Sequence, residues 1–410
     1  MIVYNDGMML TDAYRRNNVQ LTSSFGVEYP THFVHPVAEY LALVNDAGVI
    51  DLTHWGILRL SGRDRLSFLN AMITNDVSSL PENDGRHSLI TTVKGKIISE
   101  LFVFARQADV VLFVSQGNVA DTHDVLQKHI ISEDVIVEDL SPQFGVIAIE
   151  GPKSYDILWR VFSKGPFPKE SLQAVTREFA DVELFLMTNS VTGEPGYHVM
   201  IPADRVERMR NFLVQSGRGS DGLPVGSIAW NMRRVENGLP WYGVDYTQDN
   251  LPPESRLDDA ISYSKGCFRG QEPLARLHHR GHVNRLLVGL TLDEDHVSGP
   301  WIKLAEQFEM GLNNYDEDVL KQKASPVAQA LDLASLFAAN TTLYHDEPGT
   351  DAGRNDRSQK PLGRITSAVY SPRLKKPLFL GYVRPELADK TVGVVADAGQ
   401  RLSLIDLPIA

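Results

Sequence analysis

Two stretches of apolar residues broken by short polar turns organise the first two thirds of the chain. ISELFVFARQADVVLFVS, residues 98–115, predicts two strands joined at Arg106-Gln107-Ala108-Asp109. VELFLMTNSVTGEPGYHVMIP, residues 182–202, repeats the arrangement around Thr192-Gly193-Glu194-Pro195-Gly196. Glycine and proline in that second loop supply turn geometry. Closely spaced hairpins favour antiparallel pairing, so the expected class is α+β rather than a doubly wound parallel sheet. Between the hairpins, RDRLSFLNAM (63–72), NVADTHDVLQKHI (118–130) and ADRVERMRNFLVQSG (203–217) place apolar residues three and four apart, the period of a one-sided helix. From Pro224 to Gly238, the residues Val225, Ile228, Ala229, Met232 and Val235 trace one apolar stripe, which Asn237-Gly238 and Pro240 bring to a stop. Glu236 lies in the last turn of that helix, where a carboxylate opposes the helix dipole, so a cationic partner or a ligand is expected beside it.

The pattern changes after about residue 293. Residues 294–340 and 346–360 are acidic, rich in Gly, Asn and Asp, and poor in strand pattern, which predicts an exposed insertion. Strand-like segments return in GRITSAVYS, LFLGYVRP and the tail TVGVVADAGQRLSLIDLP. The expected organisation is an α+β region over 1–286 and a small all-β domain over 287–410, interrupted by a long insertion at about 294–340.

Composition narrows the function. No apolar run approaches the ~20 residues of a membrane-spanning helix, and the opening MIVYNDGMMLTDAYRR lacks the basic-then-apolar order of a secretory signal. A cytoplasmic location is therefore expected, with no membrane partner. A net charge of −12 argues against a broadly basic nucleic-acid surface. The single cysteine excludes an internal disulfide and cannot alone ligate an iron–sulfur cluster, so no stable metal site is expected within this chain.

That cysteine, Cys267, lies in LPPESRLDDAISYSKGCFRGQEPLARLHHRGHVNRLL, residues 251–287. Gly266 and Gly270 bracket it and permit backbone geometries that side chains forbid. Lys265 and Arg269 would favour the thiolate if their charges point towards the sulfur; otherwise Cys267 is a small hydrophobe in a tight loop. The basic cluster Arg276, His278, His279, Arg280, His282 and Arg285 either holds an anionic ligand tail or forms a solvated turn. Gly281 between His278 and His282 makes a helix through both of them doubtful.

These residues carry a resemblance. LPPESRLDDAISYSKGCFRGQEPLAR resembles the K-G-C-[FY]-x-G-Q-E hallmark and lead-in of the YgfZ-type folate-binding branch of the aminomethyltransferase (glycine cleavage T protein) superfamily. ILRLSGRDRLSFLNAMITNDV, TGEPGYHV, RRVENGLPWYGVD and GRITSAVYSPRLKKPLFLGYVRP resemble further stretches of that superfamily, from roughly residue 38 to 397. The resemblance implies a GcvT-like fold, two α+β domains arranged around a central cavity with a C-terminal small β-barrel. It also implies tetrahydrofolate, or a one-carbon derivative of it, as the ligand.

By that resemblance, Glu194, Tyr197, His198, Arg234, Trp241 and Arg269 are candidates for holding the folate, and Cys267, Lys265 and Glu100 are candidates for chemistry. T proteins carry a carboxylate where this chain has His198, and a paired-aspartate stretch where GKIISEL places Ser99 and Glu100. Serine cannot act as a carboxylate base at neutral pH. The lost carboxylate and the added thiol lead to the expectation of a folate-binding accessory protein that supports assembly or repair of iron–sulfur proteins and, indirectly, tRNA modification. Its partners would be iron–sulfur client or assembly proteins. The alternative is a tetrahydrofolate-dependent aminomethyl- or methyltransferase or demethylase that uses Glu100. A third possibility is a binding module that has kept the fold and lost the ligand.

Overall fold

The computed structural model describes residues 10–24, 27–115, 117–217, 222–293, 306, 341–345, 361–388, 394–396 and 401–409. Apart from residue 306, the expected insertion at 294–340 lies outside the described residues, as do residues 346–360. Among the described residues, no helix is long and apolar enough to cross a membrane.

The hairpin expected at 98–115 is the centre of a five-stranded sheet. Its strands are β4 (Gly56–Ser61), β5 (Gly85–Thr91), β6 (Ile97–Ala105), β7 (Asp109–Val114) and β8 (Ile136–Asp139), in the order β5-β6-β7-β4-β8. Successive side chains of β6 point to opposite faces. Leu101, Val103 and Ala105 pack in the core under α3 (Arg65–Met72) and α4 (Val119–His129), whereas Phe102 and Phe104 join the core on the other face.

The hairpin at 182–202 belongs to a six-stranded sheet made of β3 (Gly48–Asp51), β9 (Phe144–Glu150), β10 (Ala174–Phe179), β11 (Val182–Thr188), β12 (Gly196–Pro202) and β13 (Leu223–Val225). Their order is β10-β11-β12-β9-β3-β13. Only β13 against β3 is a parallel pair among the described strands; the other pairings are antiparallel, as an α+β class requires. One face of this sheet is covered by α5 (Ser154–Phe162) and α6 (Val206–Ser216).

The remaining strands close a barrel. β14 (Leu286–Leu292), β15 (Thr342–His345), β16 (Gly363–Ser371), β17 (Lys376–Val383), β18 (Val394–Ala396) and β19 (Arg401–Ile405) run in the order β14-β17-β16-β15-β18-β19. The predicted stripe at 225–235 forms α7 (Ser227–Glu236), which packs between α2 (Pro36–Asn45) and β16. A single apolar cluster, including Phe104, Phe185, Met232 and Leu380, runs through both sheets, α7 and the barrel.

The partner expected for Glu236 is present. This fully buried carboxylate accepts from Arg233 Nη1 at 2.5 Å and Tyr40 Oη at 2.8 Å on one oxygen, and from Ser371 Oγ at 2.6 Å on the other. The fully buried Asp245 makes a second bridge to the barrel, accepting from Arg234 at 2.8 Å and from Ser367 at 2.6 Å. Two buried carboxylates thus fix the barrel against α7.

Candidate functional site

A cavity of about 650 Å³ lies between the two sheets and α7. Among the described residues, none that lines it comes from the barrel strands. Aromatic side chains form much of the wall. Trp55 stacks on Phe102 with 5.6 Å between centroids, Trp230 meets Trp241 edge-on at 4.5 Å, and Tyr197 also lines the space. Lys169, Ser171 and Arg256 are exposed lining residues that give the mouth a polar character.

Strand alternation decides the fate of the Ser99-Glu100 pair. Ser99 is buried on the α4 side, where its Oγ accepts from Thr122 Oγ1 at 2.8 Å. Glu100 lies on the same face as Phe102 and lines the cavity. Only the second position of the pair therefore presents a group to the cavity, and that group is a carboxylate.

Three residues that the sequence reading did not single out, His87, Asp259 and Ser115, accompany Glu100. In the β5–β6 register His87 stands opposite Phe102, so its side chain emerges on the same face, and the two rings stack at 4.8 Å. His87 Nε2 lies 2.9 Å from Glu100 Oε1, and Nδ1 lies 3.2 Å from Asp259 Oδ2. Ser115 Oγ donates to Glu100 Oε2 at 3.0 Å. Burial opposes protonation of His87, but hydrogen bonds and charge from Asp259 and Glu100 prevail and raise its pKa to about 9. The same hydrogen bond holds Asp259 below the ordinary carboxylate range against the opposing effect of its partial burial.

Glu194, in the loop between β11 and β12, also lines the cavity, where it accepts from Arg233 Nε at 2.8 Å. The loop is shaped by the buried Glu150, which accepts from Ser190 Oγ at 2.8 Å, Val191 N at 2.8 Å and Thr192 Oγ1 at 2.5 Å. Gly193 has φ +88°, and a Cβ there would meet Asn237 Nδ2 at 2.6 Å, so glycine is required for the loop to sit against the end of α7. His198 is buried behind the wall rather than in it, with Nε2 3.1 Å from Glu150 Oε1.

Arg234 and Trp241 both line the cavity. The Arg234 guanidinium is engaged internally, donating to Asn231 Oδ1 at 2.6 Å, Leu239 O at 3.0 Å, Asp245 Oδ2 at 2.8 Å and Ser367 Oγ at 2.8 Å. Its geometry fastens the wall. His54, another lining residue, has a buried Nε2 with no hydrogen-bond partner, and burial lowers its pKa to about 4. A neutral imidazole with an orphaned ring nitrogen fits a polar ligand.

The sequence makes Cys267 a candidate for chemistry, with a thiolate favoured by Lys265 and Arg269 if their charges point towards it. In the structure Cys267 is exposed and is not among the lining residues. Lys265 and Arg269 flank it in sequence but turn to other partners. The buried Lys265 ammonium donates to Asn70 O at 2.7 Å, Ile73 O at 2.9 Å and Asn75 O at 2.6 Å, and burial lowers its pKa to about 8. Arg269 donates to Thr91 O and does not line the cavity. Both cations thereby fasten the 265–270 loop to the five-stranded sheet and the chain around α3. Of the bracketing glycines, Gly270 has φ +84° and no room for a Cβ beside Thr91 Oγ1, whereas Gly266 has open space around it. The helix α8 (Gln271–Arg280) includes His278 and His279 and ends before Gly281, so His282 lies beyond it. His278 stacks on Tyr263 at 3.8 Å.

Comparison with known proteins agrees with this architecture. Residues 10–265 match the GCVT N-terminal domain and residues 333–404 match the glycine cleavage T-protein C-terminal barrel domain. An aminomethyltransferase of Chlorobaculum tepidum is 28% identical over 331 residues, covering 79% of this chain and 87% of that protein. One from Desulfitobacterium hafniense is 26% identical, covering 92% of this chain and 90% of its own length; one from Chlorobium luteolum is 30% identical, covering 64% and 73%. The crystal structure of glycine cleavage system aminomethyltransferase T from Bartonella henselae shares the fold with a TM-score of 0.77 at 19% identity, covering 98% of this chain and 97% of that one. With both domains matched and the fold shared along nearly the whole length, the chain belongs to the glycine cleavage T-protein family.

Proposed function

We propose that this protein is a tetrahydrofolate-dependent one-carbon transferase of the aminomethyltransferase type. The single observation that carries the reading is Glu100, a carboxylate in the cavity wall with one oxygen held by His87 and the other by Ser115. The similarity to proteins named aminomethyltransferase supports it.

The residues present fit a folate. The cavity volume falls within the ~300–1,000 Å³ of small-molecule sites. Trp55, Phe102, Trp230 and Trp241 offer flat apolar walls to a pteridine and its aromatic linker. Glu194 and the orphaned His54 Nε2 offer polar contacts to the ring edge, and Lys169 and Arg256 at the mouth offer positive charge to a glutamate tail. When bound, tetrahydrofolate would supply the nitrogens that accept the one-carbon unit. Glu100 would take up or return a proton at its carboxylate oxygens, each of which keeps a second lone pair beyond its hydrogen bond to His87 or Ser115. The aromatic walls would exclude water from that exchange.

The test is turnover. The full chain with tetrahydrofolate and an aminomethyl donor should yield a one-carbon-loaded folate, and Glu100→Gln should lower the rate by about 10²-fold or more. Full activity in Glu100→Gln would end the reading. The exposed Cys267 thiol favours a second reading, an accessory role towards iron–sulfur proteins with an indirect effect on tRNA modification. Cys267→Ser that leaves iron–sulfur enzyme activity in cells unchanged would remove it.

A further inference from the structure

Both nitrogens of the His87 ring face carboxylates, Glu100 at 2.9 Å and Asp259 at 3.2 Å. An ionised carboxylate only accepts hydrogen bonds, so both contacts are satisfied together when both nitrogens carry protons and the ring is an imidazolium. The ring is also fixed in plane by its stack on Phe102, at 4.8 Å and 12°. Glu100, His87 and Asp259 all line the cavity, and their side chains are 11%, 13% and 73% exposed, so the array runs from the wall to solvent.

We infer that His87 and Asp259 are positioning residues for Glu100: the imidazolium, oriented by Asp259, fixes the Glu100 carboxylate in place. This rests on reading Glu100 as the transfer carboxylate. A charge held only to stabilise the fold is an expensive choice in a partly desolvated site, because a buried ion pair often contributes no more than an apolar pair of the same shape. The pair is better explained by what it does to Glu100. The groups facing the array are Glu100 from β6, Asp258 and Asp259 from the 258–260 turn, Arg256 in the same wall, and Tyr246. The buried Tyr246 phenol is pushed well above its ordinary range, by burial first and by the Glu100 charge second.

Two measurements on the full chain test the inference. In the first, the His87 imidazole is followed by NMR as a function of pH, assigned with His87→Gln. It should remain protonated at pH 7.5 and titrate near pH 9. Both Asp259→Asn and Glu100→Gln should lower the midpoint by roughly one pH unit or more, because each removes an adjacent opposite charge. In the second, wild-type kcat should fall along an alkaline limb at that same midpoint. Asp259→Asn should move the limb to lower pH, and His87→Gln should remove it while lowering kcat by about 10²-fold with a smaller change in KM. A neutral His87 at pH 7.5, or a midpoint indifferent to both carboxylate variants, would overturn the inference. So would shifted midpoints with an unshifted kcat profile, the signature of a structural ion pair. If the wild type shows no tetrahydrofolate-dependent turnover, the transferase reading fails by itself, and the titration still decides whether the charge is held.

Discussion

Replacing Glu236 with glutamine keeps the shape of the side chain and removes one charge at the junction of α2, α7 and the barrel. The wild-type carboxylate has only donors around it: Arg233 and Tyr40 on Oε2, Ser371 and the backbone N–H of Arg373 on Oε1. The new amide nitrogen cannot face the guanidinium, so it must take the Oε1 position. There the Ser371 hydroxyl can rotate to accept, but the Arg373 N–H loses its partner. The Arg233 bond loses its anionic acceptor and the Tyr40 and Ser371 bonds become neutral, at ~1 kcal/mol each, and the orphaned N–H adds ~1 kcal/mol. Arg233 keeps Glu194 as its other partner, which limits the loss. The sum, about 3–4 kcal/mol, agrees with the ~3–5 kcal/mol usual for breaking a buried ion pair. Urea unfolding followed by tryptophan fluorescence suits the measurement, because Trp230 lies on the same helix. The midpoint should fall with little change in slope. A loss below about 1 kcal/mol would mean that this carboxylate does not join the barrel to the α+β region.

Further outcomes follow from the same geometry. The folded-state pKa of His87, about 9, lies above the ~6.5 of an unfolded chain, so its contribution is complete below pH 6.5 and disappears as pH rises through 9. Wild type should therefore lose up to about 3 kcal/mol relative to His87→Gln across that window, measured by urea unfolding at fixed pH values; parallel curves would contradict the assignment. Gly270→Ala should cost ~1–3 kcal/mol, since it places a Cβ 2.3 Å from Thr91 Oγ1 at a positive φ, while Gly266→Ala should be nearly neutral; thermal melts of the two variants compare them directly. The Cys267 thiol should react with a thiol reagent in the native state, one per chain, leaving tetrahydrofolate affinity within about twofold. A large loss of affinity on modification would return the sulfur to the cavity.

The hairpins at 98–115 and 182–202 and the stripe at 225–235 were legible because strand and helix periods are local properties of the chain. Helix ends were less so: the pattern at 63–72 became a helix over Arg65–Met72. The need of Glu236 for a cation could be argued from its place in the last helical turn, and Arg233 meets it from the same helix. The Glu100–His87–Asp259 array could not be read, because its members come together through the β5–β6 register and a contact between residues 172 positions apart. Asp259 lay in full view in the LDDA lead-in, with nothing local to mark it. One available signal was missed. Alternation along β6, with Phe102 and Phe104 on one face, already separates Ser99 from Glu100 and leaves the second as the cavity group. Lys265 and Arg269 show the opposite limit: adjacency to Cys267 in sequence carried no information about direction, and three backbone carbonyls claimed the lysine instead.

On this reading, the cavity between the two sheets takes a reduced folate against Glu100. Calorimetric titration of the full chain with tetrahydrofolate decides this, with a Trp230→Ala variant alongside to remove one aromatic wall. Saturable one-to-one binding, weakened at least tenfold by the variant, is the predicted result. Absence of binding in the wild type, or binding indifferent to Trp230→Ala, would show that the cavity is not a folate site.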